Sequence, residues 1–292
     1  MSKARNPSDE REQLEPFKEQ VPFVYDRENR YQGFVSGSGA GKTAAGLART
    51  ELNADEWNAG AMGAIIAPTT KMIKNNIIPL MRKFGYLQDW ELKGPRSDEP
   101  GIHTSSGGRI LLLSASDERT IEYLNGLNLA YIWMDEHRDI PARATEIAVQ
   151  RLRAGDYRNL YVTTTPRGKN HTFEFFVGNH DAVQEDWGEG TIYRADNRLC
   201  VVGVPTYANP HTPEDYKQSV GEDLPEEIRQ QEVEGLFVEV GGGIFQRKMF
   251  NWKPHTEIRG TLSPIIGVDP AATADSQAAE DRDADYWGVT IG

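Results

Sequence analysis

Ser36-Gly37-Ser38-Gly39-Ala40-Gly41-Lys42-Thr43 follows the short run Gln32-Gly33-Phe34-Val35 and opens the alanine-rich stretch Ala44-Ala45-Gly46-Leu47-Ala48. The order reads as strand, glycine-rich loop, helix. Glycines let backbone N–H groups converge on phosphate oxygens without Cβ interference, and a helix N-terminus adds partial positive charge. In that reading Ser36 to Thr43 cradle a nucleotide. Lys42 reaches the β- and γ-phosphates, and the Thr43 hydroxyl ligates Mg²⁺. The strict pattern has glycine five residues before Gly41, where this chain has Ser36. A flexible Gly/Ser turn before an ordinary helix is the other reading of the same residues.

A second stretch supports the first. Leu129-Ala130-Tyr131-Ile132-Trp133-Met134 is a continuous apolar run that ends abruptly in Asp135-Glu136. Such a run suits a strand buried on both faces of a parallel sheet. Ligands bind at the carboxyl ends of such strands, which is where the acidic pair falls. Asp135 is then the Mg²⁺-shell carboxylate, and Glu136 polarises the water that attacks the γ-phosphate. The alternative is a solvated loop start.

Composition describes an ordinary globular chain of 292 residues, with 38% hydrophobic and 26% charged residues. The length suggests about two domains. No apolar run approaches the ~18 residues of a membrane span, so no membrane partner is expected. The polar start Met1 to Glu10 lacks the apolar core of a signal peptide. Cys200 is the only cysteine, which excludes an internal disulfide and fits a reducing cytoplasm. The net charge is −12, from 44 acidic against 32 basic residues. Such a surface repels polyanions on average, so a nucleic-acid contact requires a local basic patch. Adaptation to high salt and an ordinary acidic cytoplasmic protein are both readings of this charge.

Along the chain, residues 1–13 read as a disordered charged arm. Ala61 to Pro68 reads as a second core strand, and Met72 to Phe84 carries apolar residues at helical spacing with Pro79 expected to kink it. Arg109 to Ser114 is a strand after the turn signal Ser105 to Gly108. Ile140 to Arg153 reads as helix, and Asn159 to Thr165 as a strand ended by Pro166. Strands alternating with helices predict a parallel α/β sheet. Gly188 to Val204 suggests a β-hairpin. Two helices start at Thr212-Pro213 and Pro225-Glu226, the second closed by Gly235, and Pro264 to Asp269 is a further apolar strand.

The series as a whole resembles the large terminase subunit of tailed viruses, the motor that packages DNA into preformed capsids. The resemblance rests on Pro16 and Gln20 before the loop, Ile66-Ala67-Pro68-Thr69, Asn125-Gly126, Asp135-Glu136, and Thr163-Thr164-Thr165-Pro166-Arg167-Gly168. It continues through Asn209-Pro210-His211, Glu232 to Phe237, Gly242-Gly243-Ile244-Phe245 and Gly267-Val268-Asp269-Pro270. It implies an α/β P-loop NTPase of the additional-strand, catalytic-glutamate class, followed by the first strands of an RNase H-like nuclease. The implied layout is an ATPase domain over 14–205, a helical linker or lid over 206–258, and a truncated nuclease start over 259–292. It also implies ATP and Mg²⁺ as cofactors, with Mg²⁺ or Mn²⁺ at a completed nuclease site. By position Gln20 matches the family's adenine-sensing glutamine, and Thr163, Thr164 and Thr165 match the motif coupling γ-phosphate loss to DNA movement. Asp269 matches the first nuclease metal ligand.

Two departures stand out. Many family members carry arginine at the position of Ser38, so the charge that stabilises the transition state is expected from another residue. Arg119, acting across a subunit boundary, is the first candidate, with Arg151 and Arg167 behind it. The chain also stops at Gly292, before the later carboxylates that two-metal cleavage needs, so it is expected to leave DNA uncut. The resemblance further implies double-stranded DNA, portal protein and a small terminase subunit as partners. With these comes a homo-oligomeric ring on the capsid, located in the host cytoplasm at the procapsid. A helicase-like DNA translocase sharing the same core is the alternative.

Overall fold

The computed structural model describes residues 14–116, 118–178 and 181–238, together with the strand residues 266–269 and 288–291. The expected arm over 1–13, the Gly241-Gly242-Gly243 break and the acidic stretch before Tyr286 lie outside the described residues. The chain divides into two units, one ending at Gly241 and one starting at Gly242.

The first unit is built on a ten-stranded sheet. Its strands are β1 (Tyr31–Ser36), β2 (Met62–Ala67), β3 (Glu91–Lys93), β4 (Gly101–His103), β5 (Arg109–Ser114), β6 (Tyr131–Asp135), β7 (Asn159–Thr164), β8 (Val183–Trp187), β9 (Gly190–Ala195) and β10 (Arg198–Val204). Their spatial order is β3-β4-β5-β2-β6-β7-β1-β10-β9-β8. The run from β5 to β10 is parallel throughout, while both flanks are antiparallel. The hairpin expected over Gly188 to Val204 is present as β9 and β10, and β8 extends it to three strands. One strand, β7, lies between β1 and β6, so the two motif-bearing strands are next-but-one neighbours.

The apolar run read from the sequence is β6, buried at every residue. Alternate side chains point to opposite faces of a strand. Tyr131 and Trp133 therefore join one core with Phe34, Ala45, Leu47 and Tyr161. Ile132 and Met134 join the other with Ala144, Ala148, Leu160 and Val162. The first core is covered by α1 (Val21–Tyr25) and α2 (Lys42–Glu51), the second by α7 (Ala142–Arg151). Close approach of α2 to the sheet requires Gly46, since a Cβ there would lie 2.2 Å from the Trp133 ring.

Between β2 and β3, α3 (Thr70–Met72) and α4 (Ile78–Lys83) form one continuous helical stretch joined by a wider π turn over Ile73–Ile77. Pro79 has no N–H to give to a helical carbonyl. The π turn immediately before it, with Ile78 N–H on Ile73 O, is where the chain accommodates that loss. The short helices α5 (Tyr86–Asp89), α6 (Glu118–Tyr123) and α8 (His171–Phe176) complete the body, followed by α9 (Glu214–Ser219) and α10 (Glu226–Glu232). In the second unit β11 (Ile266–Asp269) pairs antiparallel with β12 (Gly288–Ile291), Asp269 opposite Gly288.

Candidate nucleotide site

Because β1, β6 and β7 run parallel, Ser36, Asp135 and Thr164 end on one edge of the sheet. The loop from Gly37 to Gly41 leaves β1 there, with Gly39 and Gly41 at φ of 78° and 75°. These left-handed conformations are open to glycine at little cost. At Gly41 a side chain would also meet Gln20, whose Nε2 would stand 2.6 Å from a Cβ.

The orientation of the loop peptides is set by donors from around it. Gln20 Nε2 donates to Gly41 O at 3.1 Å and to Ala40 O at 3.5 Å. Asn209 Nδ2 and Thr212 Oγ1 donate to Gly39 O at 2.7 and 3.1 Å, and Thr206 Oγ1 to Ser38 O at 2.5 Å. Lys42 Nζ turns back to Gly37 O at 2.8 Å. These donors fix the peptide planes of the loop, while the N–H groups of Gly37, Ser38 and Ala40 are spent on Val204 O, Glu232 O and Gly37 O at 2.9, 2.6 and 3.3 Å. Gln20, expected at the adenine, is placed by the structure on the loop itself.

Lys42 is buried, and burial lowers its pKa while Glu136 and Asp135 oppose that shift. Asp135 is buried too. Desolvation, then the Glu136 charge, raises its pKa to about 7, while the hydrogen bond from Thr163 and the Lys42 charge work the other way. Thr163 Oγ1 donates to Asp135 Oδ1 at 2.7 Å and accepts from Trp133 Nε1 at 2.8 Å. An indole N–H can only donate, so the Thr163 proton is committed to the carboxylate. Thr164 Oγ1 accepts from Arg138 N at 3.1 Å and donates to Thr165 O at 3.0 Å. The three threonines are buried, and two of them hold the acidic turn directly.

Glu136 sits at φ 52°, left-handed for a residue with a Cβ, a strain of about 1–2 kcal/mol. His137 anchors the turn that imposes it. Its fully buried ring bonds Thr172 Oγ1 at 2.9 Å and Thr145 Oγ1 at 2.8 Å. Burial, with His171 adding to it, lowers the His137 pKa to about 3, so the ring is neutral across the physiological range. The Glu136 carboxylate is thereby directed at the loop, with Oε2 buried and without a hydrogen-bond partner.

Two residues with no assigned role in the sequence reading complete the site. Arg138 Nη1 pairs with Glu232 Oε1 at 2.9 Å, and its Nε lies 3.9 Å from Glu136 Oε2. Glu232 in turn accepts the Ser38 N–H at its backbone oxygen, 2.6 Å away. The position of Arg138, two residues after Glu136, was the available signal. That of Glu232 lay only in a motif without an evident chemistry. Arg119 is exposed on α6, beyond the carboxyl end of β5. With β2 between β5 and β6, and β2, β6 and β7 between β5 and β1, and strands ~4.8 Å apart, it belongs to the same edge but not to the Lys42–Glu136 cluster. Arg167 is also exposed and pairs with Asp139 at 2.7 Å, and Arg151 Nη1 donates to Asn125 O at 2.7 Å. Asp269 is the last residue of β11, in the other unit.

The residues fit a nucleoside triphosphate with a divalent cation. A buried ammonium lies on the glycine-rich loop, and Glu136 Oε2 near it has no hydrogen-bond partner, its nearest cation being Arg138 Nε at 3.9 Å. Thr43 and Asp135 are the candidate cation ligands. Among the described residues no group of three or more His, Cys, Asp or Glu is placed to hold a metal. Mg²⁺ in phosphate sites is commonly held by one or two protein ligands plus phosphates and water, so this pair suffices. The raised Asp135 pKa has a measurable consequence in Mg²⁺-free solution. Its folded value lies above its unfolded one, so the buried charge destabilises the fold at pH 8, by on the order of 4 kcal/mol, and this cost vanishes as pH falls towards 4. Asp135→Asn should therefore melt several degrees above the wild type at pH 8 and level with it near pH 4. A melting difference independent of pH would contradict this.

A family model described as the N-terminal part of the T4-like-virus-type large terminase subunit matches residues 34–252. No curated protein matches. Among solved structures, the large terminase of a thermophilic bacteriophage in complex with ATP-γ-S is 20% identical, with a TM-score of 0.59 over 87% of this chain and 62% of that one. The same phage protein with ADP gives 19% and 0.60 over 76% and 53%. The large terminase ATPase domain of Thermus phage P74-26 gives 18% and 0.53 over 77% of this chain and 94% of that domain. The chain spans about half the length of the full thermophilic-phage terminase structures first matched. The likeness shows a P-loop NTPase fold, with β7 as the strand added between β1 and β6. Among the described residues no helix is long and apolar enough to cross a membrane.

Proposed function

Because the chain belongs to the large terminase subunit family, we propose that it is the ATP-hydrolysing part of a motor that drives viral double-stranded DNA into a capsid. The observation that carries the reading is a glycine loop whose carbonyls are tied by Gln20, Thr206, Asn209 and Thr212, placed with Lys42, Asp135 and Glu136 at one sheet edge. ATP lies with its phosphates against Ser36 to Thr43, and Lys42 neutralises charge between the β- and γ-phosphates. Thr43 and Asp135 would hold a Mg²⁺ ion, which would supply Lewis-acid polarisation of the phosphoryl oxygens. Glu136 accepts the proton of the attacking water. Its partnerless Oε2 is available for that hydrogen bond, whereas Asp135 is already occupied by Thr163.

Thr163 and Thr164 couple the chemistry to movement, because one hydroxyl touches the Mg²⁺ carboxylate and the other the turn after Glu136. Loss of the γ-phosphate shifts those partners, and the hydroxyls transmit the shift along β7 and Thr165. We assign 14–205 to the ATPase, 206–258 to a helical lid and 259–292 to the start of an RNase H-like domain in which Asp269 is a metal ligand. Double-stranded DNA, a portal protein and a small terminase subunit are the partners, in a ring at the procapsid in the host cytoplasm. Arg119 completes the site of the adjacent subunit.

The test is ATP hydrolysis by the full chain, alone, with DNA, and with DNA plus portal-bearing capsids. Stimulation by DNA and further by capsids is expected, and hydrolysis indifferent to both would overturn the motor reading. Arg119→Ala should be inactive alone and regain turnover when mixed with Lys42→Ala subunits. Each partner then supplies what the other lacks. Normal turnover by Arg119→Ala alone removes Arg119 from the site.

A further inference from the structure

Glu232 is an anion held at the phosphate loop by groups suited to phosphate. Its carboxylate receives Arg138 Nη1 at 2.9 Å, Ser38 Oγ at 3.4 Å and Gln231 Nε2 at 3.3 Å. Its backbone oxygen takes the Ser38 N–H at 2.6 Å, a donor of the loop itself. Lys42 and Arg138 both stand within electrostatic reach of one another and of this carboxylate. Arg138 is mostly buried, its side chain 17% exposed. Its Nε is buried without a hydrogen-bond partner, 3.9 Å from the likewise unpartnered Glu136 Oε2. Nη1 is thus committed to Glu232, with a longer contact to Pro166 O at 3.4 Å, while Nε stands between two carboxylates, Asp139 Oδ2 at 3.7 Å and the water-activating Glu136 at 3.9 Å.

We infer that Arg138 is a second cation of the nucleotide site, supplied by the same chain, which contacts the γ-phosphate when Glu232 is exchanged for it. The inference rests on the ATPase reading above. The planar fork of arginine binds a carboxylate and a phosphate through the same donors, so the exchange needs no new partner geometry. It places charge in cis, at a site where the loop has Ser38 in place of a cation, and it is independent of any arginine reaching in from a neighbour. The exchange concerns the Glu232 carboxylate alone, since the Ser38 N–H is bonded to the backbone oxygen of Glu232. Glu232 thus acts as an internal competitor of the γ-phosphate, and of the γ-phosphate alone.

Opposite effects of the two partners make the test. ATP-γ-S and ADP affinities and steady-state turnover are measured for Arg138→Ala, Arg138→Lys and Glu232→Gln in the full chain. Arg138→Ala should bind ADP as the wild type does, bind ATP-γ-S about tenfold more weakly, and turn over roughly 100-fold more slowly. Arg138→Lys should recover part of both losses. Glu232→Gln should bind ATP-γ-S several-fold more tightly, with ADP unchanged. If the pair is only a structural tie, both alanine and glutamine variants shift ATP-γ-S and ADP alike and in one direction, which overturns the inference. If the wild type hydrolyses ATP, Lys42→Ala does not, and Arg138→Ala does, the ATPase reading stands and Arg138 has no part in it. Absence of hydrolysis by the wild type would overturn both.

Discussion

Lys42→Ala removes ATP turnover, by roughly 1000-fold or more. A cation fixed between the β- and γ-phosphates acts in a water-poor site, where each preorganised charge is worth several kcal/mol of barrier. The protein should not unfold as a result. Burial lowers the Lys42 pKa, which means that its charge is less comfortable there than in water, and the Gly37 carbonyl it contacts keeps the Ala40 N–H at 3.3 Å. Turnover measured beside a melting curve separates the outcomes. Lost turnover with an unchanged melting temperature is expected, and retained turnover would remove Lys42 from the chemistry.

Much of this site was legible in sequence because its elements are local. The apolar run ending in Asp135 and Glu136 suited a strand buried on both faces, and it became β6. The Gly-Lys-Thr junction likewise became the start of α2. What was not legible is what holds the loop. Thr206, Asn209 and Thr212 reach Ser38 and Gly39 across more than 160 residues, and a hydroxyl or amide that caps a distant carbonyl leaves no periodicity behind. Arg138 and Glu232 meet across 94 residues for the same reason. Gln20 was read as the amide that senses adenine. The partner in the structure is a pair of loop carbonyls, because the turn before α1 buries it against Gly41. Pro79 was legible as a disturbance of its helix, but the form of the adjustment, a π turn upstream, depends on packing that sequence spacing does not encode.

Glu136→Gln should bind ATP as tightly as the wild type and hydrolyse it at least roughly 100-fold more slowly, the range that a lost general base commonly costs. The amide keeps the size and shape of the carboxylate and can still hold water, but it cannot take its proton. The left-handed backbone at Glu136 is imposed by the His137 anchor and the Thr164 contact to Arg138. It is not a property of the carboxylate, so the substituted amide occupies the same place. Removal of one negative charge beside Asp135 also relieves part of what raises the Asp135 pKa, which favours the ionised form that Mg²⁺ needs. Binding should accordingly be preserved or slightly tightened, never lost.

The central claim is that one sheet edge both holds a nucleoside triphosphate and hydrolyses it, with the two tasks divided between the loop and Glu136. Nucleotide affinity and single-turnover hydrolysis, measured separately on Glu136→Gln and on the wild-type chain in Mg²⁺, address it most directly. The account predicts equal affinity with hydrolysis stalled in the variant. Equal hydrolysis by the two proteins would contradict it, because water activation would then lie with another residue.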